Sequence, residues 1–458
     1  MARINRATAP IHTHGGAKAT RIDAVLQLRR SVMSCMLWEK EFYEDGKTIA
    51  QRIEELVPQV APATVAQIAI AARNDMHLRH VPLLLVAALA KCKDRGTGLV
   101  AYALSEVIQR PDELTEFLAI YWRNGKCSLS GQVKKGLARA FSKFSAYSLA
   151  KYNRDEAIKL RDVLFLCHAK PKDGVQAEVW QQLVNGTLAT PDTWEVALSA
   201  GTTPKKDNWE RLLREHKLGG LALLRNLRNM VEAGVSGELI AEGFNHADMS
   251  RVLPFRFVAA AKAAPRLEPL IDAVFLKALS QAPKLSGKTV VVIDVSGSMY
   301  GGHLSAKSDM SRAHVACALV AITREICADP HIYATAGSDS RRVHKTAEVP
   351  ARRGMALVDA VYRMCEPLGG GGIFVNQVCA YIQALEHTAD RLIIITDEQD
   401  CDMGKAVNPD LSWVGQTYMI NVASAKNGVG YHKWVHIDGW SEAVLDFIRM
   451  SESGEWRR

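Results

Sequence analysis

Residues able to do chemistry gather in two places in this chain. In the first, Asp294-Val-Ser-Gly-Ser-Met299 sets one carboxylate and two hydroxyls on alternate residues, directly after the apolar run at 290–293. Oxygen donors of this hardness suit Mg²⁺ or Mn²⁺. A second apolar run, Leu392-Ile-Ile-Ile-Thr396, ends in Asp397. If both runs are neighbouring parallel strands, Asp294, Ser296, Ser298 and Asp397 reach one cation from adjacent strand-end loops. The bland reading of the first string is a polar turn, and Asp397 weakens it further. A strand-end aspartate beside Mg²⁺ also opens several phosphatase sites, which makes a Mg²⁺-dependent phosphohydrolase the enzymatic rival. Val295 and Ser296 stand where such an enzyme needs its second acid. No Ser/His/Asp, Cys/His or His-Glu-x-x-His arrangement accompanies it, so the expectation is a chain that is not an enzyme. His14, His77, His80, His303, His314 and His344 are isolated from one another and read as solvated or core residues. The stretch Leu368-Gly-Gly-Gly-Gly-Ile-Phe374 lacks the Gly-Lys-Ser/Thr continuation of a phosphate cradle.

The second place is cationic. Residues 121–172 hold 12 Lys and Arg against Asp155, Glu156 and Asp162, and no acid occurs between Phe117 and Arg154. In Gln132-Val-Lys-Lys-Gly-Leu-Ala-Arg-Ala-Phe-Ser-Lys-Phe144, Lys135, Arg139 and Lys143 recur every four residues, with Lys134 beside them. On a helix this makes one basic face, opposite Leu137, Phe141 and Phe144. A solvated amphipathic helix normally mixes both signs, so a one-signed stripe points to a polyanion, with RNA and DNA not distinguished by charge. The imbalance is regional: 40 basic against 29 acidic residues over 1–287, and 17 against 20 over 288–458.

The elements that must position these groups differ between the two halves. From about 21 to 279, apolar residues recur at three- and four-residue steps, as in Leu221, Leu224, Leu227 and Val231, predicting helices. Breaks at Gly46, Pro58, Pro111, Pro171, Pro191, Pro204 and Gly219-Gly220 cut them to ordinary length, in the manner of an α-solenoid without a fixed sequence repeat. After about 285, short strand-like runs alternate with helices: strands at 289–293, 331–334 and 391–396, helices at 308–328, 357–364 and 375–387. That alternation predicts an open parallel sheet with its site beyond the carboxyl ends of the strands. The expected division is therefore 1–285 and 286–458.

At 458 residues, with 48% hydrophobic and 23% charged residues, the chain is a folding chain of two or three domains. The apolar run at 81–90 is about half of what spans a bilayer, and residues 1–16 carry no apolar signal core, so no membrane is expected. Nine cysteines, with Cys35, Cys92, Cys127 and Cys167 scattered and no Cys-x-x-Cys pair, read as reduced, buried thiols in a cytoplasm.

Several strings carry resemblances. The Asp294/Ser296/Ser298/Asp397 set resembles the metal-ion-dependent adhesion site of a von Willebrand factor A domain. Such domains usually add a threonine from a second loop; 368–374 offers none, so weak metal binding is expected. The strings beginning at Met36, Met76 and Gln132, with Thr193-Trp-Glu-Val-Ala-Leu-Ser199 and Leu221-Ala-Leu-Leu-Arg-Asn-Leu-Arg228, resemble the TROVE module of Ro ribonucleoproteins. The resemblance implies a ring of HEAT-like helical hairpins followed by the A domain. It also implies a scaffold for RNA quality control that binds small Y RNA-like noncoding RNAs on its basic outer surface and the ends of misfolded RNAs in a central hole. A protein such as an exoribonuclease could dock through the A domain, and a metal-dependent recruitment scaffold is the alternative. On this resemblance Lys151, Arg154 and His168 join Lys134, Lys135, Arg139, Lys143 and Lys170 in the RNA surface, although Asp155 holds the slot that the family's spacing gives to the arginine. Trp38, Phe42, Tyr43, Trp194, Leu221, Leu224 and Leu227 read as hairpin core, and Arg79 and Arg225 as partners of carboxylates or helix ends.

Overall fold

The computed structural model describes residues 23–34, 46–76, 78–199, 204–249, 252, 254–301, 310–402, 409–423, 434–438, 448–449 and 452. Most of the string beginning at Met36, with Trp38, Phe42 and Tyr43, lies outside the described residues, as do Cys35, His14, His77 and His303.

Before the first strand come α1 (Ala24–Ser34), α2 (Gly46–Leu56), α3 (Pro62–Asn74), α4 (His80–Lys91), α5 (Leu99–Val107), α6 (Pro111–Tyr121), α7 (Gly131–Phe141) and α8 (Ala146–Tyr152). They continue with α9 (Leu160–Cys167), α10 (Gly174–Asn185), α11 (Trp194–Ser199), α12 (Lys205–Arg214), α13 (Gly220–Glu232), α14 (Gly237–His246), α15 (Pro254–Ala263) and α16 (Glu268–Ser280). The expected breaks fall between or at the ends of these helices, because proline cannot donate within a helix and tolerates only its first turn. Hydroxyls and carboxylates close the starts: Ser130 accepts from Val133 N–H at 3.3 Å, and Asp173 from Gln176 N–H at 2.7 Å. α7 packs on α5 and α9. The first of these contacts requires Gly136, where a Cβ would lie 3.0 Å from the Ala101 carbonyl oxygen.

The α/β part runs β1 (Leu285–Asp294), α17 (Gly297–Tyr300), α18 (Arg312–Ile326), β2 (Cys327–Ser338), β3 (Val343–Glu348), α19 (Gly354–Tyr362), α20 (Val375–Glu386), β4 (Ala389–Thr396), β5 (Val414–Asn421) and β6 (Val435–Asp438). The sheet order is β3-β2-β1-β4-β5-β6, parallel except for the antiparallel edge strand β3. Both faces of β1 are covered: Val290 and Val292 join α20 in one core, and α18 packs against β1 and β2. This is why the strand reads as an unbroken apolar run. Chain order reverses between β1 and β4, so their carboxyl ends form the crevice in which ligands of open α/β sheets bind.

The chain divides into two compact units, one of α1 to α12 and one from residue 218 onward. In the second, α15 and α16 pack against α18, and α16 against α19. Helical texture thus ends at Leu285, whereas compactness changes at 217–218. Leu224 and Leu227 are core residues, but Leu221 is 41% exposed and Leu223 takes the buried place. Arg79 pairs with Asp112 at 2.6 Å and with Glu116, while Arg225 is exposed. Among the described residues no helix is long and apolar enough to cross a membrane.

Candidate metal centre and basic surface

Asp294 is the last residue of β1, and Asp397 directly follows β4, its hydrogen-bonded neighbour; both are fully buried. Asp294 Oδ1 accepts from Ser296 N–H at 2.8 Å, and Oδ2 from Thr396 Oγ1 at 2.7 Å. Thr396, the residue before Asp397, therefore fixes the first carboxylate from the neighbouring strand, a role that reading β1 alone does not reveal. The Ser296 and Ser298 hydroxyls are 3.1 Å apart. Burial first, and then the facing Asp397, push the Asp294 carboxyl well above the usual carboxylate range. Two buried carboxylates and two neighbouring hydroxyls thus lie at the carboxyl ends of adjacent strands, a set of hard oxygen donors. Among the described residues no group of three or more His, Cys, Asp or Glu forms a metal cage; this set has two carboxylates and draws on hydroxyls for the rest.

The glycine stretch reaches the same end of the sheet. Gly369 and Gly370 adopt left-handed backbones (φ 100° and 67°), and a Cβ on Gly297 would lie 2.9 Å from Gly370 O. The second loop thus brings a backbone carbonyl against the Asp-x-Ser-x-Ser turn. Gly371 N–H donates to Gly337 O at 3.0 Å and Gly372 N–H to Asp339 Oδ1 at 2.8 Å, anchoring the loop. Glu398, with a left-handed backbone (φ 59°), lies 2.9 Å from His436 in a buried pair beside Asp397.

On the basic segment, α7 exposes Lys135 and Arg139 and half-buries Lys134. Lys143 departs from the expected stripe: its ammonium donates to Ile108 O at 2.6 Å and to Ser105 O, at the C-terminal end of α5. Lys143 is therefore a helix-end partner. His168 is exposed and ends α9 in a left-handed conformation (φ 52°), its N–H directed to the Leu164 and Phe165 carbonyls. Lys170 and Lys172 follow, both exposed. A feature invisible in the sequence joins the two elements. Buried Gln176 donates to Ser142 O at 3.0 Å and accepts from Lys172 N–H at 3.0 Å, so the end of α7 and the α9–α10 connection are neighbours. Lys135, Arg139, Lys170 and Lys172 pair with no carboxylate among the described residues.

Lys151 and Arg154 flank Tyr152. Lys151 Nζ lies 5.7 Å from the Tyr152 ring centroid, and the Arg110 guanidinium 4.6 Å from it. Arg154 lines a small cleft with Asp112, Thr115, Tyr152 and Glu156, where carboxylates share the walls with the cation. Cations beside acids suit a phosphate less well than those at the α7 and α9–α10 junction.

The TROVE domain model matches residues 184–366. Over that span the chain is similar to the TROVE domain. The match includes Asp294, Ser296 and Ser298 but ends before Asp397, and the basic segment lies outside it. The crystal structure of the Deinococcus radiodurans RO (RSR) protein is similar with a TM-score of 0.63 at 16% identity, over 94% of this chain and 100% of that one. That likeness shows the fold: helices followed by an A-domain-like sheet. Telomerase protein component 1 of Rattus norvegicus and of Mus musculus are each 38% identical over 87 residues, 18% of this chain. The matched segment spans 3% of the length of these curated relatives.

Proposed function

We propose that this chain is a non-enzymatic RNA-binding scaffold of a ribonucleoprotein, acting in RNA quality control in the cytoplasm. One observation carries the reading: Gln176 bridges two exposed basic elements, Lys135 and Arg139 on α7 and His168, Lys170 and Lys172 after α9, whose cations pair with no carboxylate among the described residues. Cations held at fixed separation without carboxylate partners fit a folded phosphate backbone, and a small structured RNA of the Y type is the ligand proposed for them. Misfolded RNAs are the second proposed cargo. The TROVE domain and the fold shared with the RO (RSR) protein support this reading. The eight described cysteines are free thiols, which suits a reducing compartment.

The sheet serves as the docking module. Asp294, Ser296, Ser298 and Asp397 would hold Mg²⁺ or Mn²⁺, and the cation would supply a Lewis-acidic position for an acidic side chain of a protein partner such as an exoribonuclease. The test of the main reading is an electrophoretic shift of structured RNA by the full chain at several salt concentrations. Affinity falling steeply with salt, and lowered by joint Lys135→Ala and Arg139→Ala substitution, is the expected result. RNA affinity indifferent to that double substitution removes α7 from the surface.

A further inference from the structure

α9 sorts its side chains by face. Leu160, Val163, Leu164 and Cys167 are buried, while Arg161, Phe165 and His168 are exposed at successive turns of one stripe. Phe165 is 59% exposed, a large aromatic surface left in water between Arg161 and His168. Of the nearby carboxylates, Asp155 pairs with Lys159 and also feels Arg161, while two others hold backbone N–H groups. Asp162 accepts from Lys159 N–H at 2.9 Å at the start of α9, and Asp173 caps α10. Lys170 and Lys172 extend the positive charge beyond His168. The backbone adds a second observation: the helix ends on His168 in the left-handed region, where glycine is the usual occupant, so an imidazole is held at the end of the stripe against backbone preference.

An aromatic face bracketed by an arginine and a histidine, next to further lysines, is complementary to a nucleobase with phosphates on both sides. We infer that Phe165 is a stacking platform for one unpaired base of the bound RNA, with Arg161 and His168 taking its flanking phosphate and base edge. The inference rests on the RNA-binding reading above and narrows it: the surface selects RNA with an unpaired nucleotide over continuous duplex, whose bases are already stacked on each other.

The experiment compares two RNAs of equal length, a hairpin with an unpaired loop and a blunt duplex, binding to the full chain. Phe165→Ala is expected to weaken hairpin binding about fivefold to a hundredfold, the range of one lost base stack. Its salt dependence should stay unchanged and its duplex binding close to wild type. Phe165→Trp should keep the affinity and show quenched indole fluorescence on hairpin binding. Since Phe165 is exposed, both variants should fold, which a thermal melt checks. Hairpin affinity unchanged in Phe165→Ala overturns the stacking site, and so does unquenched fluorescence in Phe165→Trp. Loss of a co-purifying protein with RNA affinity intact assigns the residue to a protein contact and overturns it as well. If Phe165→Ala is silent while the Lys135/Arg139 double variant still loses affinity, only the stacking site falls. If the wild type binds neither RNA, the RNA reading itself falls.

Discussion

Replacing Lys135, Arg139 and Lys143 singly by methionine separates two roles that their spacing of four makes look alike. Lys143 donates to two carbonyls at the end of α5, 35 and 38 residues away in the chain. Burial holds its ammonium below the usual lysine value. A hydrogen bond from a charged donor contributes about 1.5–3 kcal/mol. The side chain is partly in solvent, which screens that gain, so Lys143→Met should cost about 1–2 kcal/mol. For a unit of this size the melting temperature falls by about 2–4 °C per kcal/mol, giving a loss of about 2–8 °C. Lys135 and Arg139 are exposed and form no such bonds, so their replacement should change stability by about 0.5 kcal/mol at most. Each should instead remove one phosphate contact, lowering the slope of log affinity against log salt by about 0.7–0.9. Thermal melts by circular dichroism, paired with fluorescence anisotropy on a labelled hairpin RNA between about 50 and about 200 mM salt, read both quantities. The reasoning is refuted if Lys143→Met leaves the melt unchanged and lowers the salt slope as Lys135→Met does, because the ammonium would then be on a phosphate and not on α5.

Two further outcomes follow from buried titratable groups. Asp294→Asn removes one of two facing carboxylates, so it should raise the melting temperature in chelator and abolish stabilisation by Mn²⁺ or Mg²⁺; scanning fluorimetry showing an Asn variant still stabilised by Mn²⁺ would exclude this site as the metal's. His314 is bonded to Ser311 and lies 2.7 Å from Lys262 Nζ; burial, and then Lys262, bring its value down to about 4, against about 6.5 in an unfolded chain. The unfolded chain therefore takes up a proton that the fold refuses, so this contribution to stability is complete above about pH 6.5 and is lost as pH falls toward about 4. His314→Asn should flatten that part of the pH profile of melting, and an unchanged profile would show that another group sets it.

How much of this was legible in the sequence depends on where each partner lies. Asp294 and Asp397 could be placed because each follows an unbroken apolar run, and a run buried on both faces has few alternatives to a central parallel strand. The edge strand β3, with Val343, Lys345 and Thr346 in a polar alternation, has no apolar run to announce it. β5 and β6 passed unnoticed too, β5 because Gly415, Gln416 and Thr417 break its start. Lys143 was misplaced because its acceptors are backbone carbonyls, which carry no residue-type signal. The Gln176 bridge is hidden for the same reason: Ser142 O and Lys172 N–H are main-chain groups.

Phe165 is a different case, because its signal was present and local. The apolar positions Leu160, Val163, Leu164 and Cys167 close a helical face at steps of three, one and three, and that pattern leaves Phe165 outside it. Flanked by Leu164 and Leu166, it reads as core by type; by period it belongs with Arg161 and His168 on the solvent side. Type alone cannot decide, since burial of an aromatic is favourable wherever the fold permits it. Period can, because a helix that has already filled its inward face at Leu164 has no inward position left one residue later. An aromatic side chain that the helical period places in solvent, between basic neighbours, is thus a candidate that sequence alone can nominate, and the solvent exposure of Phe165 agrees with its place in that period.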